Sequence, residues 1–207
     1  NLKDNQLTEL PKGLEKLTQL TNLSLDGNQL TEVPKGLEKL TQLEELVLTF
    51  NQLTDVKGLE KLTQLERLGL QYNKLTDVKG LEKLDQLKTL GLIGNQLTDI
   101  KGLEKLTQLT WLALSRNQLT EVPMGLEKLT QLEVLGLNGN QLTDVKGLEN
   151  LTQLKQLYLN GNQLTDIKGL EKLTQLKTLG LKTNPDLTKA QIDELQKALP
   201  KCRIYSK

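Results

Sequence analysis

The sequence predicts an arc-shaped α/β solenoid, with a parallel β-sheet on the concave face, short 3₁₀ or extended segments on the back, and a C-terminal helix–strand cap. Three observations lead there. First, the phrase N-[QK]-L-T returns with its asparagine at Asn5, Asn28, Asn51, Asn73, Asn95, Asn117, Asn140 and Asn162, in steps of 22 or 23 residues; an altered copy, NPDLT, begins at Asn184. Second, aligned on that asparagine, the chain obeys L-x-x-L-x-L-x-x-N-x-L in full from Leu20, Leu43, Leu65, Leu87, Leu109, Leu132 and Leu154, and a further copy from Leu176 breaks register at Pro185. Such a period belongs to stacked units, none of which buries its own apolar face. Third, only 2% of the 207 residues are aromatic against 36% apolar, so the core is to be built from leucine.

Residues 1–184 are expected to form the array, about eight repeats, and 185–207 the cap. In L-x-x-L-x-L the middle residues alternate inward and outward, the period of a short strand, and successive strands lie side by side. The asparagine sits where the chain leaves the sheet, its amide placed to satisfy backbone groups of its own and the next coil. The return segment LTDVKGLEKLTQL carries Leu53, Val56, Leu59, Leu62 and Leu65 at every third position, which suits a 3₁₀ or single-turn helix. The 23-residue repeats carry an extra proline (Pro11, Pro34, Pro123) that favours an extended, polyproline-like path. After Asn184, Thr188 and Gln191 form a capping box, Leu187 and Ile192 a hydrophobic staple, and Pro200 a stop. Ile192, Leu195 and Leu199 share one face that can cover the last coil, with Cys202 and Ile204 pointing inward. No comparable cap opens the chain, which starts inside the repeating phrase; the expectation is a trimmed start or a larger protein.

The phrase LTDVKGLEKLTQL followed by a strand such as ERLGLQYNKL resembles the bacterial leucine-rich repeat proteins of the internalin-like, 22-residue type. The LTEVPKGLEKL copies resemble the 23-residue bacterial type, and NPDLTKAQIDELQKALPKCRI is similar to the closing segment of repeat proteins from planctomycete-like bacteria, some exported or lipid-anchored. The resemblance implies a protein ligand on the concave face and a location at the bacterial surface, in the periplasm or outside the cell rather than in the cytoplasm. No internalin binding residue carries over, because those positions match no shared motif.

Composition excludes much chemistry. There is no histidine, so a serine triad has no base and zinc lacks its commonest ligand. One cysteine rules out an intramolecular disulfide and a cysteine cluster. Lys+Arg 27 against Asp+Glu 26 gives +1, which points to no nucleic-acid partner. Apolar runs are too short to span a membrane. No phosphate loop or nucleophile elbow is present. The chain is therefore expected to be a monomeric non-enzyme without metal or cofactor.

Comparison of the repeats separates scaffold from variable positions. The leucines, the asparagine, GLEKL and TQ barely change, and the changes collect at four outward positions. Four of the five aromatics fall there (Phe50, Tyr72, Trp111, Tyr158), with Arg67 and Arg116, residue types that dominate binding hot spots. The candidate partner-binding set is Glu45, Val47, Phe50, Arg67, Tyr72, Thr89, Ile93, Trp111, Arg116, Val134, Gln156 and Tyr158. Trp111 is expected to flank a shallow trough of Gly69, Gly91, Ala113 and Gly136, closed by Tyr158. Early strands carry Asp26, Glu44, Glu45 and Glu66, later ones Lys155, Lys177 and Lys182, a gradient that would orient a partner. The function read from this pattern is a non-catalytic module recognising a protein or peptide on the concave sheet. The alternatives are the recognition arm of a larger bacterial enzyme or signalling protein, and a synthetic consensus-like scaffold. The 22/23 mixture and single-copy deviations such as Asp85, Met124 and Asn150 argue for natural duplication over the last.

Overall fold

The structure, a computed structural model, describes residues 1–206; Lys207, the last residue of the expected cap, lies outside them. Each L-x-x-L-x-L phrase supplies one three-residue strand: β1 (Asn22–Ser24), β2 (Glu45–Val47), β3 (Arg67–Gly69), β4 (Thr89–Gly91), β5 (Trp111–Ala113), β6 (Val134–Gly136), β7 (Gln156–Tyr158) and β8 (Thr178–Gly180). A ninth, β9 (Arg203–Tyr205), comes from the cap. All pair in parallel in chain order, and the register aligns equivalent positions of every repeat. Equivalent residues therefore form straight rows across the sheet. The central row, from Leu23 through Leu179, is buried throughout, as are the leucines two residues on. Truncating such a leucine to alanine typically costs ~2–5 kcal/mol.

On the back, a 3₁₀ turn recurs in all eight repeats, as at Leu59–Lys61 and Leu103–Lys105. The glycine ahead of each turn adopts a left-handed conformation, φ 105 at Gly58, where a Cβ would be strained. Its N–H donates to the carboxylate two residues on, 2.7 Å from Gly58 N to Glu60 Oε2. The glutamate of GLEK is thus a cap as well as a solubilising charge, a role its repetition alone did not disclose. In the 22-residue repeats Asp55 Oδ1 also accepts the Lys57 N–H at 3.0 Å. In the 23-residue repeats that place is glutamate, and the residue two positions after Glu32 is Pro34, which has no N–H to offer. Aspartate and proline therefore alternate for one reason. The extra residue is taken up before the turn: Pro34 O accepts Leu37 N as Val56 O accepts Leu59 N, so the proline repeats close with the same 3₁₀ turn.

From Asn28 to Asn184 the repeating asparagines are buried and fully used, while Asn5 on the first coil is exposed. Asn95 Nδ2 donates to Leu92 O of its own repeat (3.1 Å) and to Leu70 O of the preceding one (3.0 Å), while Oδ1 accepts the Leu75 N–H at 3.0 Å. The ladder ties each coil to the one before it, not to the next as the sequence reading placed it. The turn's free carbonyl and amide lie on the preceding coil, which has already left the sheet.

The cap helix α1 (Lys189–Ala198) begins with the expected capping box of Thr188 and Gln191. Leu195 and Leu199 are buried, and Ile192 and Leu187 pack part-buried against the same core. Cys202 is buried, and burial pushes its thiol up, away from the thiolate. Ile204 aligns with Leu179, so the cap adds a rung to the sheet as well as a lid. At the opposite end Leu17 is 54% exposed, while Leu2, Leu7, Leu14 and Leu20 are only part-buried.

Candidate functional site

The register sorts the variable positions into rows. The first outward row runs Asn22, Glu45, Arg67, Thr89, Trp111, Val134, Gln156, Thr178 and Arg203. The second runs Ser24, Val47, Gly69, Gly91, Ala113, Gly136, Tyr158, Gly180 and Tyr205. Eight of the twelve candidate residues stand on these two rows. Glu45, Val47, Thr89, Trp111, Val134, Gln156 and Tyr158 are part-buried, and Arg67 is exposed. Trp111 sits between Thr89 and Val134 as expected, half-sunk among them. Tyr158 turns its hydroxyl onto its own strand, donating to Gln156 Oε1 at 2.7 Å.

The trough beside Trp111 is narrower than the sequence suggests. Gly91, Ala113 and Gly136 line up, but all three are buried. The side chain of Gln71 fills the space over Gly91 and accepts the Thr49 hydroxyl proton at 2.8 Å. Ser115 is itself buried, and its Oγ, 3.2 Å from where a Cβ of Gly136 would stand, accepts the Asn138 N–H. Asn138 Oδ1 then accepts from Asn160, whose Oδ1 accepts the Lys182 N–H. The third outward row, which includes Ile93, is thus largely a polar ladder across the glycines. The charges are also partly spent on one another, through Glu45–Arg67 (3.2 Å), Glu66–Lys88 (2.7 Å), Glu133–Lys155 (2.8 Å) and Asp26–Lys3 (2.9 Å).

The remaining candidates, Phe50, Tyr72 and Arg116, occupy the rim where the chain leaves the sheet. That position is left-handed in every repeat, with glycine at Gly27, Gly94, Gly139 and Gly161 but φ 51 at Phe50, 54 at Tyr72, 57 at Arg116 and 56 at Thr183. Asp4, which the sequence reading did not place in the row, opens it with φ 56. The signal was present: glycine alternating with bulky residues at one repeat position marks a left-handed site. A non-glycine residue held there costs ~1–3 kcal/mol. Phe50 and Tyr72 nevertheless stack face to face, centroids 4.5 Å apart and planes within 3°, and remain 56% and 37% exposed. Gly94 makes this possible, since a Cβ there would lie 2.6 Å from the Tyr72 ring.

Among the described residues no cluster of three or more acidic or cysteine side chains is arranged to hold a metal, and no helix is long and apolar enough to cross a membrane. Family models for leucine-rich repeats match residues 1–53, 18–75, 85–142 and 107–164, and a two-copy repeat model matches 63–105 and 152–197. The chain belongs to the leucine-rich repeat family. Of solved structures, an internalin of Listeria monocytogenes, InlF, is similar with TM-score 0.90 and 32% identity over 99% of this chain and 59% of its own. Internalin C2 of the same bacterium gives TM-score 0.82 and 32% identity, covering 86% of this chain and 78% of its own. A leucine-rich repeat protein of Leptospira interrogans gives 0.61 and 29%, covering 99% and 71%. This chain thus spans 59% of the length of InlF. No curated protein matches its sequence. Folds of this kind generally serve protein–protein interaction and are typically non-catalytic.

Proposed function

We propose that this leucine-rich repeat chain is a non-catalytic module that recognises a protein or peptide on its concave sheet and the adjoining rim, at a bacterial surface, in the periplasm or outside the cell. The observation that carries the reading is where the large side chains stand. The core is aliphatic and almost all leucine, and all five aromatics stand on the concave rows or the rim, Tyr205 on the cap's strand, with Phe50 and Tyr72 exposed in backbone that favours glycine. Aromatic and arginine side chains on a rigid platform are the anchors of protein recognition. The internalin likeness supports a role in protein–protein interaction. The test is selection of displayed random peptides on the intact chain, followed by substitution. Val47→Asp, Trp111→Asp and Tyr158→Asp should each abolish binding, while Lys101→Glu on the back should not. Peptides lost only with the back-face change would refute the reading.

A further inference from the structure

The concave face is unevenly neutralised, and the inference drawn from this rests on the concave-face reading above. Asp26, Glu45, Glu66 and Glu133 each hold a cation of a neighbouring rung: Lys3, Arg67, Lys88 and Lys155. Lys177, Lys182 and Arg203, at the C-terminal end of the sheet, are exposed and form no salt bridge among the described residues. The register gathers them around one strand. Lys177 immediately precedes β8 and Lys182 follows it by two residues, while Arg203 of β9 stands beside Thr178. In the next row Tyr158 and Tyr205 flank Gly180, two rungs of ~4.8 Å apart. Both phenols reach back along their strands, Tyr158 donating to Gln156 Oε1 at 2.7 Å and Tyr205 accepting from Arg203 at 3.4 Å. That long bond is the one side-chain hydrogen bond of the Arg203 guanidinium among the described residues.

Three exposed cations on two adjacent strands, with a guanidinium carried on the sheet itself, make a place for negative charge. The rest of the face limits what kind. A nucleic acid lays phosphates along a continuous basic stripe. Here the excess positive charge stops at the Glu133–Lys155 pair, and beyond it stand Val134 and Trp111. We propose that the sheet at β8 and β9 binds an acidic segment of a protein partner, whose carboxylates meet Arg203, Lys177 and Lys182 while an apolar side chain further along the same segment covers Trp111. The guanidinium offers a planar fork that matches a carboxylate, and the two ammonium groups add point charge on either side. Arg203 and Trp111 lie four rungs apart in one row. An extended segment crossing four rungs of ~4.8 Å at ~3.3 Å per residue needs about six residues to span them.

The experiment uses displayed random peptides selected on the full chain, then measured by calorimetry against wild type, Arg203→Gln, Lys182→Asn and Trp111→Ala. Gln156 already stands in the row of Arg203, and Asn160 is the counterpart of Lys182 one repeat earlier, so the sheet accommodates both changes. Selected peptides should carry paired carboxylates about six residues from an apolar side chain. Replacing those carboxylates by their amides should weaken binding to wild type about tenfold, but to Arg203→Gln by no more than about twofold, the mark of a direct coupling. Peptides without carboxylates, or with the amides tolerated, overturn the acidic segment even if Trp111→Ala still abolishes binding, in which case the concave-face reading stands. A mixed-sequence single-stranded oligonucleotide that displaces the peptides from wild type and fails to bind Arg203→Gln overturns the assignment to a protein. Peptides indifferent to Trp111→Ala, Arg203→Gln and Lys182→Asn alike overturn both readings.

Discussion

Replacing Asn95 by alanine tests the element on which the stacking of coils depends. The side chain is 7% exposed and makes three bonds, to Leu70 O, Leu92 O and Leu75 N. Alanine leaves the Leu75 amide buried without a partner, at ~1–3 kcal/mol, while Leu70 O and Leu92 O each lose one of two donors and keep Asn73 and Asn117. The two lost bonds to those carbonyls add ~0.5–1.5 kcal/mol each, and the emptied volume is polar enough to admit a water that restores part of the total. The expected loss is ~2–4 kcal/mol, a large share of the ~5–15 kcal/mol that a folded domain usually has. Urea unfolding followed by far-UV circular dichroism and by Trp111 fluorescence measures it. Gln96→Ala, the exposed neighbour, is the control and should stay within ~0.5 kcal/mol. Asn28→Ala should cost less than Asn95→Ala, because two of its partners, Asn5 N and Leu7 N, lie on the less buried first coil. A loss below ~1 kcal/mol at Asn95 would refute the idea that the ladder holds the coils.

Four further outcomes follow from the same structure. Deleting residues 185–207 removes α1 and β9, bares Leu179 and Leu181, and opens the β8 edge; oligomers in sizing chromatography are expected, and a stable monomer would deny the cap its role. Glu60, Glu82, Glu104 and Glu149 are held below the ordinary glutamate pKa of 4.5, chiefly by backbone N–H donors, so their stabilisation is present above that value and lost as pH falls through the lowered one. Melting temperature should drop on acidification below that value, and Glu104→Gln should flatten the acid limb; an unchanged limb would assign the effect elsewhere. Trp111 should emit at an intermediate wavelength with partial acrylamide quenching and shift to the blue when a selected peptide covers it, while a fully quenchable indole would contradict its half-buried seat. Thr183→Gly should stabilise by ~0.5–1 kcal/mol, as relief of a β-branched residue at φ 56 outweighs the entropy of a new glycine; destabilisation would show that the rim is not strained.

What could be read in advance divides along physical lines. The fold was legible because period, leucine spacing and alternation all serve the same core, and each is visible in one dimension. The capping box was legible because Thr188 and Gln191 lie three residues apart. The direction of the asparagine ladder was not, since Leu70 and Asn95 are 25 residues apart in sequence and only coil stacking brings them together. The floor of the trough was misjudged for a similar reason: glycine at Gly91 reads as space, but the space belongs to Gln71 of the preceding repeat. Asp4 lies ahead of the first full L-x-x-L-x-L-x-x-N phrase, so the comparison of repeats does not align it with the rim row.

The outward rows vary because the scaffold asks little of them, so variability there carries little information. The rim is different. At Phe50 and Tyr72 the backbone itself favours glycine, and four sister repeats have it. Stacking recovers only ~0.5–1.5 kcal/mol for the pair, against ~1–3 kcal/mol of strain at each residue. Drift under stability alone would therefore return these positions to glycine, as it leaves Ser24 and Gly180 free to be anything small on the sheet. Two large rings kept exposed in a conformation that works against them support the proposed contact with a partner. The same reasoning ranks the sites: Trp111 lies where an aromatic costs nothing, whereas Phe50 lies where it costs something, and the rim is accordingly the stronger marker of function.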